Sequence, residues 1–538
     1  MKNFLKILTL LCLVTAMSLS SAQNADAVVR LFDGKLEISG FIKETAYYKI
    51  NKFDRAWDHG PADGHDSPID YLMTSAYLET LWNIKEDPFG WNIRFFNGLR
   101  YWVEKAPLID DQIHRRIAPW HRKRYITPRD FELDMLTECY IDIQKGPWQV
   151  KIGKQIVIWG QNDIGRVADV VNPLKLTHGV PGVDTWEEVK QGLWMIRAFY
   201  QSSLPGNLLF EFIFNPGDHK VGDYFGYTGT HWGDPYALDA AFVPGQEPGI
   251  GGFILESDRR AAPSWDFDET YAFGGRIMGT TGNFQWTLLV WNRLQDFGLA
   301  NPYNIGAYSF RYVSAGILGS ITGNFDFPGF DGAEDAFKYK RFTTIGGTVM
   351  TEWPWLHYTT WDLEWFYEIG CPLNTTSSGS GSSSDIDGWT RKDIFGFSIK
   401  VGDRFRLPKK INDFLRTSKK VDWTLTYFYE KVFSHEHDLV LNDRYHKQQD
   451  SVADGFSFWF KLEFLNTAFA FVHLSSYYLQ TGGQMHVPSI TYYFPERILN
   501  GGLRFTLGAK IYLRQAHDAI YTNYDKKDSI IIKLSYEF

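Results

Sequence analysis

Asp163, Arg166, Asp169 and Asn172 lie at close spacing in the segment that begins at Trp159. Fixed charges of both signs so near one another could line a constriction inside a passage and select the solutes that cross it. The same groups could instead pin a loop to a wall through ion pairs and hydrogen bonds, a role in which exposed pairs contribute little.

Other polar clusters carry less chemistry. His435-Glu436-His437-Asp438, with His446 nearby, offers nitrogen and oxygen ligands in one loop, but the two histidines lack the helical spacing of a zinc signature, and a solvated loop explains them. Asp218, Asp223, Asp234 and Asp239 are loop acids whose spacing does not match an EF-hand. There is no Gly-x-Ser-x-Gly elbow and no His-Glu-x-x-His. His473 reads as facing a lumen with Ser475 two residues on, but neighbours on one strand face point in parallel and rarely form a nucleophile–base pair. The expectation is a protein that is not an enzyme and has no metal or cofactor.

These residues must be positioned by strands. The last ten residues, Ser529 to Phe538, place apolar side chains at 530, 532, 534, 536 and 538 with mostly polar ones between. A period of two ending in Phe resembles the C-terminal signal of outer-membrane barrels. Leu503, Phe505, Leu507, Ala509 and Ile511 alternate with Arg504, Thr506 and Lys510. Phe456, Phe458, Phe460 and Leu462 oppose Ser457, Lys461 and Glu463, while Trp361, Leu363, Trp365 and Tyr367 oppose Asp362, Glu364 and Glu368. Leu133, Met135, Cys139, Ile141 and Ile143 oppose Asp134, Glu138 and Asp142. A charged row needs water and an apolar row needs lipid, so the fold class is an all-β transmembrane antiparallel barrel.

On that alternation the lumen face carries Arg94, Arg100, Arg197, Arg293, Arg504 and Lys510 against Glu138, Asp142, Glu211, Glu364, Asp422 and Glu430. Neither sign dominates. Short connections near 87–90, 145–147, 205–206, 281–282, 353–355, 465–466 and 495–501 alternate with long ones at 50–69, 103–130, 160–191, 215–269, 294–340, 370–392 and 433–454. With 404–420 as a further short turn the count is about 18 strands, an even number with both ends periplasmic and the long loops external. That parity keeps Phe310 to Ile321 inside a loop, and 16 strands is the alternative.

Lys2, Lys6, the apolar run Ile7 to Met17 and Ser20-Ser21-Ala22 read as a signal peptide over residues 1–22, leaving 23–538 as the barrel with a short periplasmic N-terminal segment. Elsewhere no stretch approaches the ~18 apolar residues of a membrane helix. The chain nonetheless holds 20 Trp, 29 Tyr and 41 Phe, a surplus that aromatic girdles at two membrane interfaces absorb. A net charge of −8 argues against a nucleic-acid partner. After cleavage Cys139, on a strand, and Cys371, in a loop, remain, so one disulfide at most could form; both are expected to be free or structural.

One region is distinctive: Leu136-Thr137-Glu138-Cys139-Tyr140-Ile141-Asp142, a turn, then Val150 to Gly160, continuing through Asp163, Arg166, Asp169 and Val171-Asn172-Pro173. It resembles a family of bacterial outer-membrane proteins of unknown function, often encoded beside resistance-nodulation-division exporters and a periplasmic lipid-carrier-like protein. The likeness extends more loosely over Glu188 to Tyr200, Tyr339 to Gly347 and Ser489 to Gly508, although Lys154 stands where the family usually has Arg. The resemblance implies an outer-membrane barrel that moves apolar or lipid-like molecules, with the barrel-assembly machinery, outer-membrane lipid and a periplasmic carrier or inner-membrane exporter as partners. The alternative is a barrel anchor whose long external loops bind a surface partner.

Overall fold

The computed structural model describes residues 28–50, 69–86, 90–105, 126–128, 130–160, 167–174, 186–220, 264–296, 299–300, 337–353, 359–375, 389–417, 419–436, 439–441, 444–448, 451–480, 482–495, 501–513 and 528–538. The expected signal peptide and the segment Phe310 to Ile321 lie outside them.

Eighteen antiparallel strands follow one another round a closed wall: β1 Leu36–Lys49, β2 Ile69–Glu86, β3 Trp91–Glu104, β4 Leu136–Lys145, β5 Trp148–Gln155, β6 Leu193–Gln201, β7 Leu209–Asn215, β8 Ala272–Thr281, β9 Phe284–Leu294, β10 Arg341–Trp353, β11 Thr359–Thr375, β12 Trp389–Phe405, β13 Val421–Val432, β14 Val452–Phe464, β15 Phe469–Tyr478, β16 Gln484–Tyr493, β17 Gly502–Leu513 and β18 Ser529–Glu537. The wall closes where β1 pairs with β18, from Phe41↔Glu537 to Lys49↔Ser529. Closure leaves no open barrel edge and fixes the even count. Below that seam a three-residue strand, Val29–Leu31, folds back onto Leu36–Ile38 along the edge of β1 that β18 occupies higher up.

The exterior is apolar. In β18, Ile530, Ile532 and Leu534 are exposed while Ile531 is buried inside, and the same alternation leaves Phe456 and Phe458 outward in β14. Aromatic pairs collect at both ends of the strands. Trp148 lies 4.5 Å from Tyr200, Trp353 5.4 Å from Trp361 and Phe469 4.8 Å from Tyr492 at the end with the short turns. At the other end Phe214 meets Phe267 at 6.1 Å and Tyr367 meets Phe433 at 6.0 Å. An apolar band between two aromatic girdles is the surface of an outer-membrane barrel. Within the wall Gly153 has φ of +136°, and a Cβ there would come 2.1 Å from the Cys139 carbonyl, so only glycine lets β5 approach β4 so closely.

Several local expectations are corrected. Leu133 and Met135 belong to a π-helical turn, Phe131–Met135, because Asp130 caps it by accepting from the Leu133 amide, and β4 starts only at Leu136. Cys371 sits in β11 and not in a loop, since β11 runs on past a bulge at Glu368/Cys371; both cysteines are free. His473 and Ser475 face outward, because Leu474 and Ser476 take the lumen side: His473 pairs across from Phe460 on the outer surface and stacks on His486 at 5.7 Å. Two connections at the end of the long loops, 479–483 and 514–528, went unread; the first is so short that it hides inside a run of strand-forming residues.

Candidate functional site: a segment that crosses the lumen

Beyond β5 the chain turns into the barrel. Val157, Trp159, Ala168, Val170 and Val171 bury themselves against inward-facing residues of β6 to β9, including Leu193, Met195, Ile213, Leu289 and Trp291. The Trp159 and Trp291 rings meet edge to face at 5.9 Å, and the Arg276 guanidinium lies 5.6 Å from the centre of the Trp159 ring. Val167 packs instead on Phe342, Phe366, Ile394 and Val432, from β10 to β13, while the Ala168 amide donates to Glu364 Oε2 at 3.2 Å. Further on, the short helix Trp186–Val189 carries Glu188 to the far wall. There Glu188 Oε1 takes Lys43 of β1 at 2.5 Å, and its carbonyl accepts from Arg100 of β3 at 3.0 Å. The described parts of this segment, 156–160, 167–174 and 186–192, therefore touch opposite parts of the wall.

Asp169 and Asn172 hold this segment to itself. Asp169 Oδ1 accepts from the Trp159 amide at 3.3 Å and its other oxygen pairs with Lys190, whose Nζ also donates to the Val157 carbonyl at 3.0 Å. Asn172 accepts from the Val157 amide at 2.7 Å and donates to the carbonyls of Gln155 and Gln191 at 3.0 and 2.8 Å. Both residues are almost wholly buried. Asp163 and Arg166 lie outside the described residues.

Beneath the segment a row of charges runs round the wall, with Arg94, Asp142, Lys151 and Arg197 at successive directly paired positions and Glu211 paired with Arg276. Arg94 bonds Asp142 at 2.7 Å, Gln149 donates to Asp142 at 2.8 Å, and Lys151 stands 5.1 Å over the Tyr140 ring. Glu211 is clamped between Arg197 at 2.7 Å and Arg276 at 2.6 Å. Glu138 accepts from the Ile156 amide at 2.8 Å and so anchors the start of the crossing segment. Lys510 lies 5.4 Å from the centres of both the Tyr47 and Tyr512 rings, and Arg504 pairs with Glu537 at 2.6 Å near the short-turn end. Sequence reasoning missed Lys43, Glu188 and Lys190; the one available signal was an acid and a lysine two apart just before an apolar strand.

Opposite the seated segment, the inner wall toward the long-loop end carries an apolar cluster. Tyr47, Tyr71, Met73, Trp102, Leu474, Met485, Val487, Tyr512 and Ile531 form one buried cluster on the inner faces of β1 to β3 and β15 to β18. At the rim above β4 to β7, burial works to raise the Glu132 carboxyl, but Lys220 and Lys154 prevail and hold it at about 2. Burial pushes the Asp218 carboxyl up despite Lys220 at 3.6 Å. Among the described residues no group of three or more His, Cys, Asp or Glu could hold a metal; Glu436 pairs with Lys392 at 2.6 Å, and His437 and Asp438 lie outside the described residues.

The family described as protein of unknown function DUF1302 matches residues 129–532. No curated protein matches the sequence. Among solved structures, OccAB1 of Acinetobacter baumannii is similar at 8% identity and a TM-score of 0.45, over 94% of this chain and 96% of that one. A BenF-like porin from Pseudomonas fluorescens Pf-5 gives 8% and 0.45, over 94% and 97%, and OmpF of Salmonella typhi, in complex with daunomycin, gives 8% and 0.40, over 95% and 100%.

Proposed function

We propose that this chain, which belongs to the DUF1302 family of proteins of unknown function, is an outer-membrane channel for apolar or amphipathic molecules working within an export system. The observation that carries the reading is the apolar cluster inside the mouth. A lumen built only for water and small ions is polar. Here aromatic and aliphatic side chains line the inner wall of eight strands, if β14 is counted through Trp459, which packs on the cluster. The cluster is buried, so apolar cargo would enter by parting these side chains and would replace their contacts with its own, each Å² of apolar area kept from water being worth roughly 25 cal/mol. A periplasmic carrier or inner-membrane exporter would deliver that cargo from below.

Aspartate introduced at Met73 or Leu474 tests the reading, because an unpaired charge in an apolar site costs a few kcal/mol. The expected result is transfer of a long-chain apolar probe into vesicles slowed about tenfold or more, with ion conductance in planar bilayers little changed. Equal transfer by wild type and both variants would defeat the reading. If wild-type barrels neither transfer probe nor conduct, the long loops of an anchor protein become the functional part.

We also propose that Asp163 and Arg166 extend the buried staple of Asp169 and Asn172 into a constriction. Replacing Arg166 with Ala then shifts the reversal potential in a salt gradient. On an exposed loop the same charge would be screened within about 8 Å, and the potentials of the two barrels would coincide.

A further inference from the structure

The wall is lowest at β5 and β7, which have eight and seven residues, fewer than the ~9–11 a tilted strand needs to cross the membrane. The β4–β5 ladder stops at Cys139↔Lys154. Past that pair β4 runs on through Glu138 to Leu136, paired with β3 alone, and then gives way to the π-helical turn Phe131–Met135, so on the β5 side the turn is held by side chains.

The closure converges on one oxygen. Glu132 Oε1 takes Lys154 Nζ at 2.9 Å, Lys220 Nζ at 3.0 Å and Trp194 Nε1 at 3.0 Å, and Lys154 also donates to the Glu132 carbonyl. Asp218 fastens the neighbouring edge by accepting from the Trp194 amide at 2.7 Å, and Lys220 donates to the Gly192 carbonyl at 3.1 Å. Outside this seal Phe131 and Leu133 are 56% and 45% exposed. Inside it lies a small cavity against the seat of the crossing segment, where Val171, Leu193 and Trp291 face Asp218, Lys220 and Arg293. Asp218 and Lys220 thus belong to the outer seal and to the inner cavity, so one layer of side chains separates a cavity of mixed apolar and charged lining from an apolar outer surface.

We propose that this seal is a lateral gate through which apolar or amphipathic cargo passes between the lumen and the outer leaflet of the membrane. The inference rests on the channel reading above and adds the route. Opening a paired strand edge breaks a whole row of backbone bonds, whereas swinging the turn away releases Glu132, by its carboxylate and its carbonyl, from three side-chain donors. The cargo thereby leaves the lumen without entering the water above the mouth.

The test uses the full-length barrel with Cys139→Ser and Cys371→Ser, in which Glu132→Cys and Lys220→Cys are joined after folding by a short bis-maleimide. Transfer of a fluorescent long-chain hydrocarbon into vesicles, presented on cyclodextrin, is measured beside ion conductance, with the unjoined cysteine pair as control. The expected result is loss of transfer on joining with conductance kept, and faster transfer than wild type for Glu132→Gln in the native background. Transfer that survives joining while wild type is active overturns the gate and leaves the channel reading standing. Glu132→Gln barrels no faster than wild type also count against it. If wild type transfers no probe, the channel reading fails and takes the gate with it.

Discussion

Replacing Lys190 with Met is expected to free the crossing segment from its seat and to enlarge the conductance of the barrel. Lys190 is fully buried and Asp169 nearly so, and their ion pair ties the returning chain to the outgoing one. Removing one partner strands a carboxylate in the interior, at a cost of about 3–5 kcal/mol. The loss also strips the Val157 carbonyl of its donor. A penalty of that size raises the unseated population roughly a hundredfold or more. The double variant Asp169→Leu with Lys190→Met should recover most of the wild-type behaviour, because an apolar pair of similar volume needs no compensation. Single-channel recordings decide it: identical conductance and noise in wild type and Lys190→Met would mean that the apolar contacts of Trp159 and Val171 hold the segment unaided.

Deleting Phe538 is expected to lower the assembled fraction roughly tenfold or more. The Phe538 amide and carbonyl exchange bonds of 3.0 and 2.8 Å with Gly40, the last rung of the closing seam. Its ring stacks on Tyr536 at 6.0 Å. Two lost backbone bonds account for about 1–3 kcal/mol, and the chain also loses the terminal aromatic of its final strand, which resembles the signal that outer-membrane barrels present for assembly. Heat-modifiable migration on a gel reads the outcome, and an unchanged folded band would sink the prediction.

The wall was legible because strand alternation is a local property. In Ser529 to Phe538 and Leu503 to Ile511 each side chain announces its face, and the rhythm of short and long connections led to an even count of sixteen or eighteen, of which eighteen is observed. Legibility failed where both faces are mixed. In Phe469 to Tyr478 the polar His473 and Ser475 point to lipid and Leu474 points inward, because the apolar lumen cluster reverses the usual rule. The same reversal hid Tyr71, Met73 and Trp102 as lumen residues. Asp169 and Asn172 could be singled out from their spacing, but their partners could not. Lys190 and Gln191 lie about twenty residues away, and the Glu188–Lys43 pair spans 145 positions, a closeness that only the finished barrel creates.

The small N-terminal hairpin bears on the diameter of the whole barrel. Val29–Leu31 occupies the edge of β1 up to Ile38, and β18 takes the same edge from Gly40 onward. The incoming last strand therefore meets a stop. Sliding it two residues downward would preserve every inward and outward face, so side-chain patterning alone does not forbid that slip. It would, however, change the stagger of the closed sheet, and with strand number fixed the stagger sets the tilt and the width of the pore. A hairpin of a few residues at the foot of the first strand thus works as a ruler for the bore.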